Sequence, residues 1–336
     1  MELKYIHTDV ANKVIAADKY KAIKIEWKTL QSKNNKIRIR DAAKQLGTSE
    51  ASLLSTEIDD SVSFLNINNY DDFFAKILSM DRIMLLIRSE SVVHEKTIST
   101  KDVKLKKNKI VDIKSNSSIL KFNPYLFKYV FAQNKLHANK SLRSFQIFDN
   151  YGDAILKFYL KGNDESKFDK IVNDYKTNYN YELQNQVSPK RLQSEYIKKE
   201  NINLIDRTEK KITYKYDLNE KILRKILTAA SNSKIPIQIN AIGPGTIQYH
   251  RDSINKIIDF GPWINIIDKK FNLHAIESHL EQATLSEHSK RGDKFYSIDF
   301  YDKVNNYVLE ICSVKDFNKD FNQIIDIINK PTKEES

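Results

Sequence analysis

The chain is poor in cysteine, glycine, proline, methionine and tryptophan, with 1, 7, 6, 3 and 2 of them in 336 residues. A lone Cys312 excludes an internal disulfide and a thiolate zinc site. Glycine is scarce enough that Gly243-Pro244-Gly245 stands out. With no helix and Lys-Ser/Thr after it, this stretch reads as a hairpin turn ahead of Thr246-Ile247-Gln248 and not as a phosphate loop. No run approaches the roughly 20 apolar residues of a membrane span. Met1-Glu2-Leu3-Lys4-Tyr5 also lacks the apolar stretch of a signal peptide, so a soluble cytoplasmic protein is expected. No Ser-His-Asp set or pair of carboxylates can be argued from spacing.

What is present is a duplication. Ser144-Phe145-Gln146-Ile147-Phe148-Asp149 recurs in pattern, 153 positions on, as Ser297-Ile298-Asp299-Phe300-Tyr301-Asp302. At the same offset Ile155-Leu156-Lys157-Phe158 falls on Val308-Leu309-Glu310-Ile311, and Phe168 on Phe321. The pattern reads strand, turn, strand, helix in both places. Upstream, at offset 144, Leu120-Lys121-Phe122 falls on Ile264-Asn265-Ile266. Two repeats are too few for an open solenoid to bury its ends, so two α+β modules packed together are expected. Residues 1–176 form the first with leading helices, 177–217 a linker with short helices, 218–330 the second, and 331–336 a frayed tail. A content of 40% hydrophobic residues suffices for two cores.

The formal net charge of +11 invites a polyanion, but lysine outweighs arginine and is scattered over solvated faces such as Lys104 to Lys109. Residues 10 to 60 read as helices, with Trp27 and Leu30 on an apolar stripe. Gly47 ends one helix, and Thr48 or Ser49 caps the next. That layout matches a helix-turn-helix reader, yet the would-be recognition segment Glu50–Asp60 carries four acidic residues and no Lys or Arg. Sequence-specific nucleic-acid binding is therefore not expected.

Several stretches together resemble the haemin-degrading and haem-trafficking family of HemS, ChuS and HmuS. They are Arg38-Ile39-Arg40-Asp41-Ala42-Ala43-Lys44-Gln45-Leu46-Gly47, Val93-His94-Glu95-Lys96, Arg143 to Asp149, Gly261-Pro262-Trp263-Ile264-Asn265-Ile266-Ile267-Asp268 and Phe271-Asn272-Leu273-His274. The resemblance implies an α+β tandem duplication of a module with a large antiparallel sheet flanked by helices. It also implies a cleft for b-type haem between the C-terminal sheet and the linker, and a task in haem uptake and iron acquisition. Oxidative ring opening of haem is implied for some members. A carrier or buffer without degradation, and a scaffold or polyanion binder that has lost haem, are the alternatives. The partners implied are haem, with a haem importer or a downstream haem-utilising protein.

By the same resemblance, cations for the haem carboxylates fall on Lys121, Arg191 of Arg191-Leu192-Gln193, and Lys315. The family's axial His, thirteen residues before the triplet, falls on Asn178, or on Asn180 with a two-residue insertion. No His occurs between His137 and His250. Tyr179 or Tyr181, beside the vacated position, could ligate iron as a phenolate, and Cys312, at a family Tyr position, as a soft ligand. The bland readings are linker aromatics and a small core residue. His94, His250 and His274 read as structural hydrogen-bonding groups, and His279 and His288 as exposed. The Gly261-Pro262-Trp263 turn should lead into a strand of the C-terminal sheet, with Trp263 largely buried.

Overall fold

A computed structural model describes residues 2–106, 110–137, 140–178, 209–216, 221–290, 293–314 and 317–329. Three helices lead: α1 (Glu2–Lys33), α2 (Ile39–Gln45) and α3 (Glu50–Ser55). Then come β1 (Val62–Leu65), α4 (Tyr70–Leu78), β2 (Arg82–Arg88), β3 (Val92–Ser99), the meander β4 (Lys104–Lys106), β5 (Val111–Lys114) and β6 (Ser118–Phe122), β7 (Tyr129–His137), β8 (Lys140–Phe148), β9 (Ala154–Leu160) and α5 (Glu165–Tyr175). The same succession follows again: β10 (Glu209–Tyr216), α6 (Ile222–Ser233), β11 (Ile237–Gly243), β12 (Thr246–Asp252), the meander β13 (Ile257–Phe260), β14 (Trp263–Ile267) and β15 (Phe271–Ile276), β16 (Leu280–Lys290), β17 (Asp293–Asp302), β18 (Tyr307–Ser313) and α7 (Asn318–Asn329).

The duplication extends to register. Ser144 pairs with Tyr159 and Phe145 with Phe158, and Ser297 pairs with Cys312 and Ile298 with Ile311. Both pairings slip at the same place, between Ile147 and Phe148 and between Phe300 and Tyr301. The aspartates that end the repeated motif explain the turns that follow. Asp149 Oδ1 accepts from the backbone N–H of Tyr151 and Asp153 at 3.0 and 2.9 Å. Asp302 Oδ1 accepts from Val304 and Asn306 at 3.1 and 2.8 Å. A short carboxylate side chain mimics a backbone carbonyl there and closes the turn.

The chain divides into two compact units, 1–81 with 125–191 and 82–124 with 192–336. In the first, the antiparallel run β1-β7-β8-β9 has one face against α4 and α5. Phe73, Phe74, Phe145, Phe158 and Phe168 are buried there, each contributing about 1.5–3 kcal/mol. Phe73 meets Phe145 edge-on at 5.4 Å. Ala51 and Leu54 of α3 pack with Phe131, Phe148 and Ala154 of these strands. The apolar stripe of α1 places Ile23, Trp27 and Leu30 on Ala42, Ala43 and Leu53. Gly47 leaves α2 at φ +62°, and Ser49 caps α3 by accepting from Ser52 N–H at 3.1 Å. All six residues of α3 are buried, so no recognition helix faces outward.

In the second unit, nine strands run β10-β16-β17-β18-β11-β12-β6-β5-β4, and five more run β2-β3-β15-β14-β13. The meanders are thus exchanged. β6 of the first module pairs with β12, and β15 of the second pairs with β3. The Gly261-Pro262-Trp263 turn does lead into a strand, but that strand joins the run built on β2 and β3, and Trp263 is only half-buried. Residues 209–216, inside the segment expected as linker, are the strand β10, paired with β16. Gly243-Pro244-Gly245 joins β11 to β12, with Gly245 at φ +63°.

Within this unit β2 and β3 pack against β11 and β12. Gln248 Nε2 donates to Leu85 O at 3.2 Å, and Lys96 Nζ to Tyr249 O at 2.8 Å. A Cβ on Gly243 would lie 2.7 Å from Thr246 Oγ1 and 3.1 Å from Arg88 O, so a side chain would wedge the layer apart.

Candidate functional site

Strand alternation places one side chain in two on each face of the nine-stranded sheet. Ile298, Phe300, Leu309 and Ile311 line the apolar face, and α7 packs against β17. The other face carries Thr284, Ser286 and His288 of β16, Ser297 and Asp299 of β17, Glu310 and Cys312 of β18, Gln238 and Asn240 of β11, Tyr249 of β12 and Lys121 of β6. This face is polar yet covered: Ser286, His288, Ser297, Asp299, Asn240 and Glu310 are all 0% exposed.

Two hydrogen-bond chains organise it. Arg251 Nε donates to Gln238 Oε1 at 3.0 Å, and Gln238 Nε2 to Asn240 Oδ1 at 3.0 Å. Asn240 Nδ2 donates to Glu310 Oε2 at 2.6 Å and lies 3.6 Å from Cys312 Sγ. In the second chain Asp299 Oδ1 accepts from Ser297 Oγ at 3.1 Å and from Tyr307 OH at 3.2 Å. Ser297 has one hydroxyl proton and spends it on Asp299, so at 2.8 Å it accepts from His288 Nε2–H, which fixes that tautomer. The His288 ring stacks on Phe295 at 4.9 Å.

His288 is therefore buried and bonded, contrary to its expected exposure; Ser297 of the neighbouring strand receives its N–H, and Phe295, opposite it in register, covers its ring. His279 is half-buried. Asp299 and Glu310 stand opposite each other in register, a buried carboxyl pair that spacing alone does not disclose. The signal for it is the alternation Ser297, Asp299, Tyr301 in one strand against Glu310 and Cys312 in the next. The positions 153 earlier are Gln146 and Lys157, also buried, and Gln146 Nε2 donates there to Gln133 Oε1 at 2.9 Å. The two modules share a backbone and differ in the charge of this face.

Of the residues singled out in the sequence, Lys121 and Cys312 come onto this one face, separated by β12 and β11 and so by about 14 Å between outer strands. Lys121 Nζ lies 5.9 Å from the centre of the Tyr249 ring. Cys312 is 3% exposed. Arg191, Tyr179, Tyr181 and Lys315 lie outside the described residues. Among the described residues no group of three His, Cys, Asp or Glu side chains could hold a metal ion, and no helix is long and apolar enough to cross a membrane.

Comparison with known proteins agrees with the duplicated architecture. The fold is similar to that of ChuS from Escherichia coli O157:H7, at 17% identity over 88% of this chain and 94% of that one, with a TM-score of 0.74. It is similar to holo-PhuS from Pseudomonas aeruginosa at 20% identity, over 89% and 93% of the two chains, also with a TM-score of 0.74. No curated protein sequence matches the chain. The haemin-degrading HemS.ChuX domain matches twice, at residues 47–175 and 208–327, once on each half of the duplication, and the chain belongs to that family.

Proposed function

We propose that the protein binds haem as the cargo of haem uptake and iron acquisition in the cytoplasm, on the polar face of the second unit's nine-stranded sheet. The observation that carries this reading is that Lys121 and Cys312, distant in sequence, share that face in a member of a haemin-degrading family. ChuS is described as a heme degrading enzyme and PhuS as a heme-binding protein. Lys121, Arg191 and Lys315 supply cations for the two propionates. Tyr181 or Tyr179 supplies a phenolate to iron, a ligand that a neighbouring Arg favours by its charge. Cys312 is the weaker candidate, because its sulfur is buried and sits against the Asn240 amide. A haem importer delivers the cargo, or a downstream haem-utilising protein receives it.

Carriage is favoured over ring opening by the sequence itself, which has no His between His137 and His250 to fix one face of the iron. Titration of the protein with haemin should give a saturable Soret band below tens of micromolar. Adding a reductant in air should then leave that band in place. Its replacement by biliverdin-like absorbance with iron release would make the protein a haem-degrading enzyme. No Soret change at all would remove haem from its function.

A further inference from the structure

The layer in which β2, β3 and β15 face β11, β12 and β6 is apolar except at a few points. His94 of β3 is 0% exposed and His250 of β12 is 8% exposed. Among the described residues neither ring nitrogen of either histidine finds a hydrogen-bond partner in another residue, against the expectation of structural hydrogen bonds, and His94 meets only its own backbone. Phe271 of β15 touches both, stacked on His250 at 3.7 Å and 4° and tilted against His94 at 4.9 Å. A neutral imidazole carries one N–H and one lone pair, and an apolar ring answers neither.

We infer that His94 and His250 form an acid-sensitive joint between the two strand layers of the second unit, held closed only while both rings are neutral. The residues that face them decide the sign. From β3 comes Lys96, whose ammonium repels a second cation, and from β12 come Gln248 and, at the exposed strand end, Asp252, whose charge acts on Lys96, while Arg251 lies on the outer side against Gln238. β2 presents Ile83, Leu85 and Ile87, β15 presents Phe271, Leu273 and Ala275, β11 presents Ile239 and Ala241, and β6 presents Leu120 and Phe122, none of them ionisable. Among the described residues Asp252, which acts on Lys96, is the carboxylate on this side, and none stands opposite either ring to pair an imidazolium. Burial, with the neighbouring Lys96, depresses His250 to about 3 from its usual 6.5, and burial first, then His250 and Lys96, holds His94 well below the usual imidazole value.

A group whose folded pKa is depressed binds its proton preferentially in the open or unfolded chain. The stability it contributes is full above pH 6.5 and falls as pH drops below that value. With two such rings the unfolding constant should rise on the order of 100-fold between pH 7.5 and 5.5, before most carboxylates titrate. β12 carries His250 on its inner side and Tyr249, beneath Lys121, on its outer side, so loosening it disturbs the polar face as well.

Urea unfolding of the apo-protein at pH 7.5 and 5.5 tests this without reference to haem. The wild type should lose stability by that factor, and His94→Gln/His250→Gln should change several-fold at most. Equal pH dependence in the two proteins would overturn the joint. If the double variant does not fold, the wild type still decides. Two histidine C–H resonances, assigned by His94→Gln and His250→Gln singly or by through-space contacts to Phe271, should keep neutral shifts down to pH 5.5 while amide exchange in β3 and β12 accelerates. Ordinary midpoints near 6.5 for both rings with unchanged exchange would reject the inference.

Discussion

Arg191 and Lys121 are both cations assigned to haem carboxylates, and their chemistry separates them. A guanidinium offers a planar fork to a carboxylate, whereas an ammonium is a point charge on a flexible stem. Lys121 is half-buried on a sheet with its Nζ beside the Tyr249 ring, so its charge is partly screened. Arg191→Ala is expected to weaken haemin binding by about 1–3 kcal/mol, and Lys121→Ala by about 0.5–1 kcal/mol. Soret titration of both variants checks the order, and equal small losses would place the cargo elsewhere. Replacing Cys312 with Ser should leave the Soret maximum unmoved if a phenolate holds the iron, and a shifted maximum would make the thiolate the ligand. Lys121 and Cys312 were legible in the sequence as isolated positions. Their sharing of a face with Asp299 and Glu310 was not, because it depends on β6 joining β12 and β18 joining β11.

Among the elements, the loop between β8 and β9 shows how a local backbone state becomes a packing constraint. Gly152 has φ +79°, and a Cβ there would lie 2.3 Å from Ser49 Oγ, the group that caps α3. Its carbonyl also accepts from Ala51 N–H at 2.9 Å, tying the turn to the start of that helix. Gly47 has a similar φ of +62°, yet nothing lies within 4 Å of its added Cβ. Gly47→Ala should cost about 1 kcal/mol from backbone strain alone, and Gly152→Ala about 2–4 kcal/mol because it also displaces the cap. Urea denaturation of the two variants measures the difference, and similar losses would refute the steric account. The helix stop at Gly47 and the cap at Ser49 could be read from the sequence, since both follow from local conformational preference. The cost at Gly152 could not, because Ser49 lies about a hundred residues away and only the fold brings it there.

Across the molecule, protection should follow strand pairing and not sequence module. β3, β11 and β12 each have a partner on both edges, whereas β4 and β13 end their runs. Native-state hydrogen exchange at pH 7.5 should therefore be slowest in β3, β11 and β12 and fast in Lys104–Lys106 and Ile257–Phe260. Exchange in β13 as slow as in β12 would contradict the exchanged meanders. The sequence alone determined the duplication, its offset of 153 and the family resemblance, because side-chain period and turn positions are local and are written twice. Only the tertiary structure decided which sheet each meander joins, that His288 is bonded, and that His94 and His250 face each other's layer unpartnered. A strand's alternation declares that it has two faces, but its neighbours, and hence what each face meets, are set by pairing between segments more than a hundred residues apart.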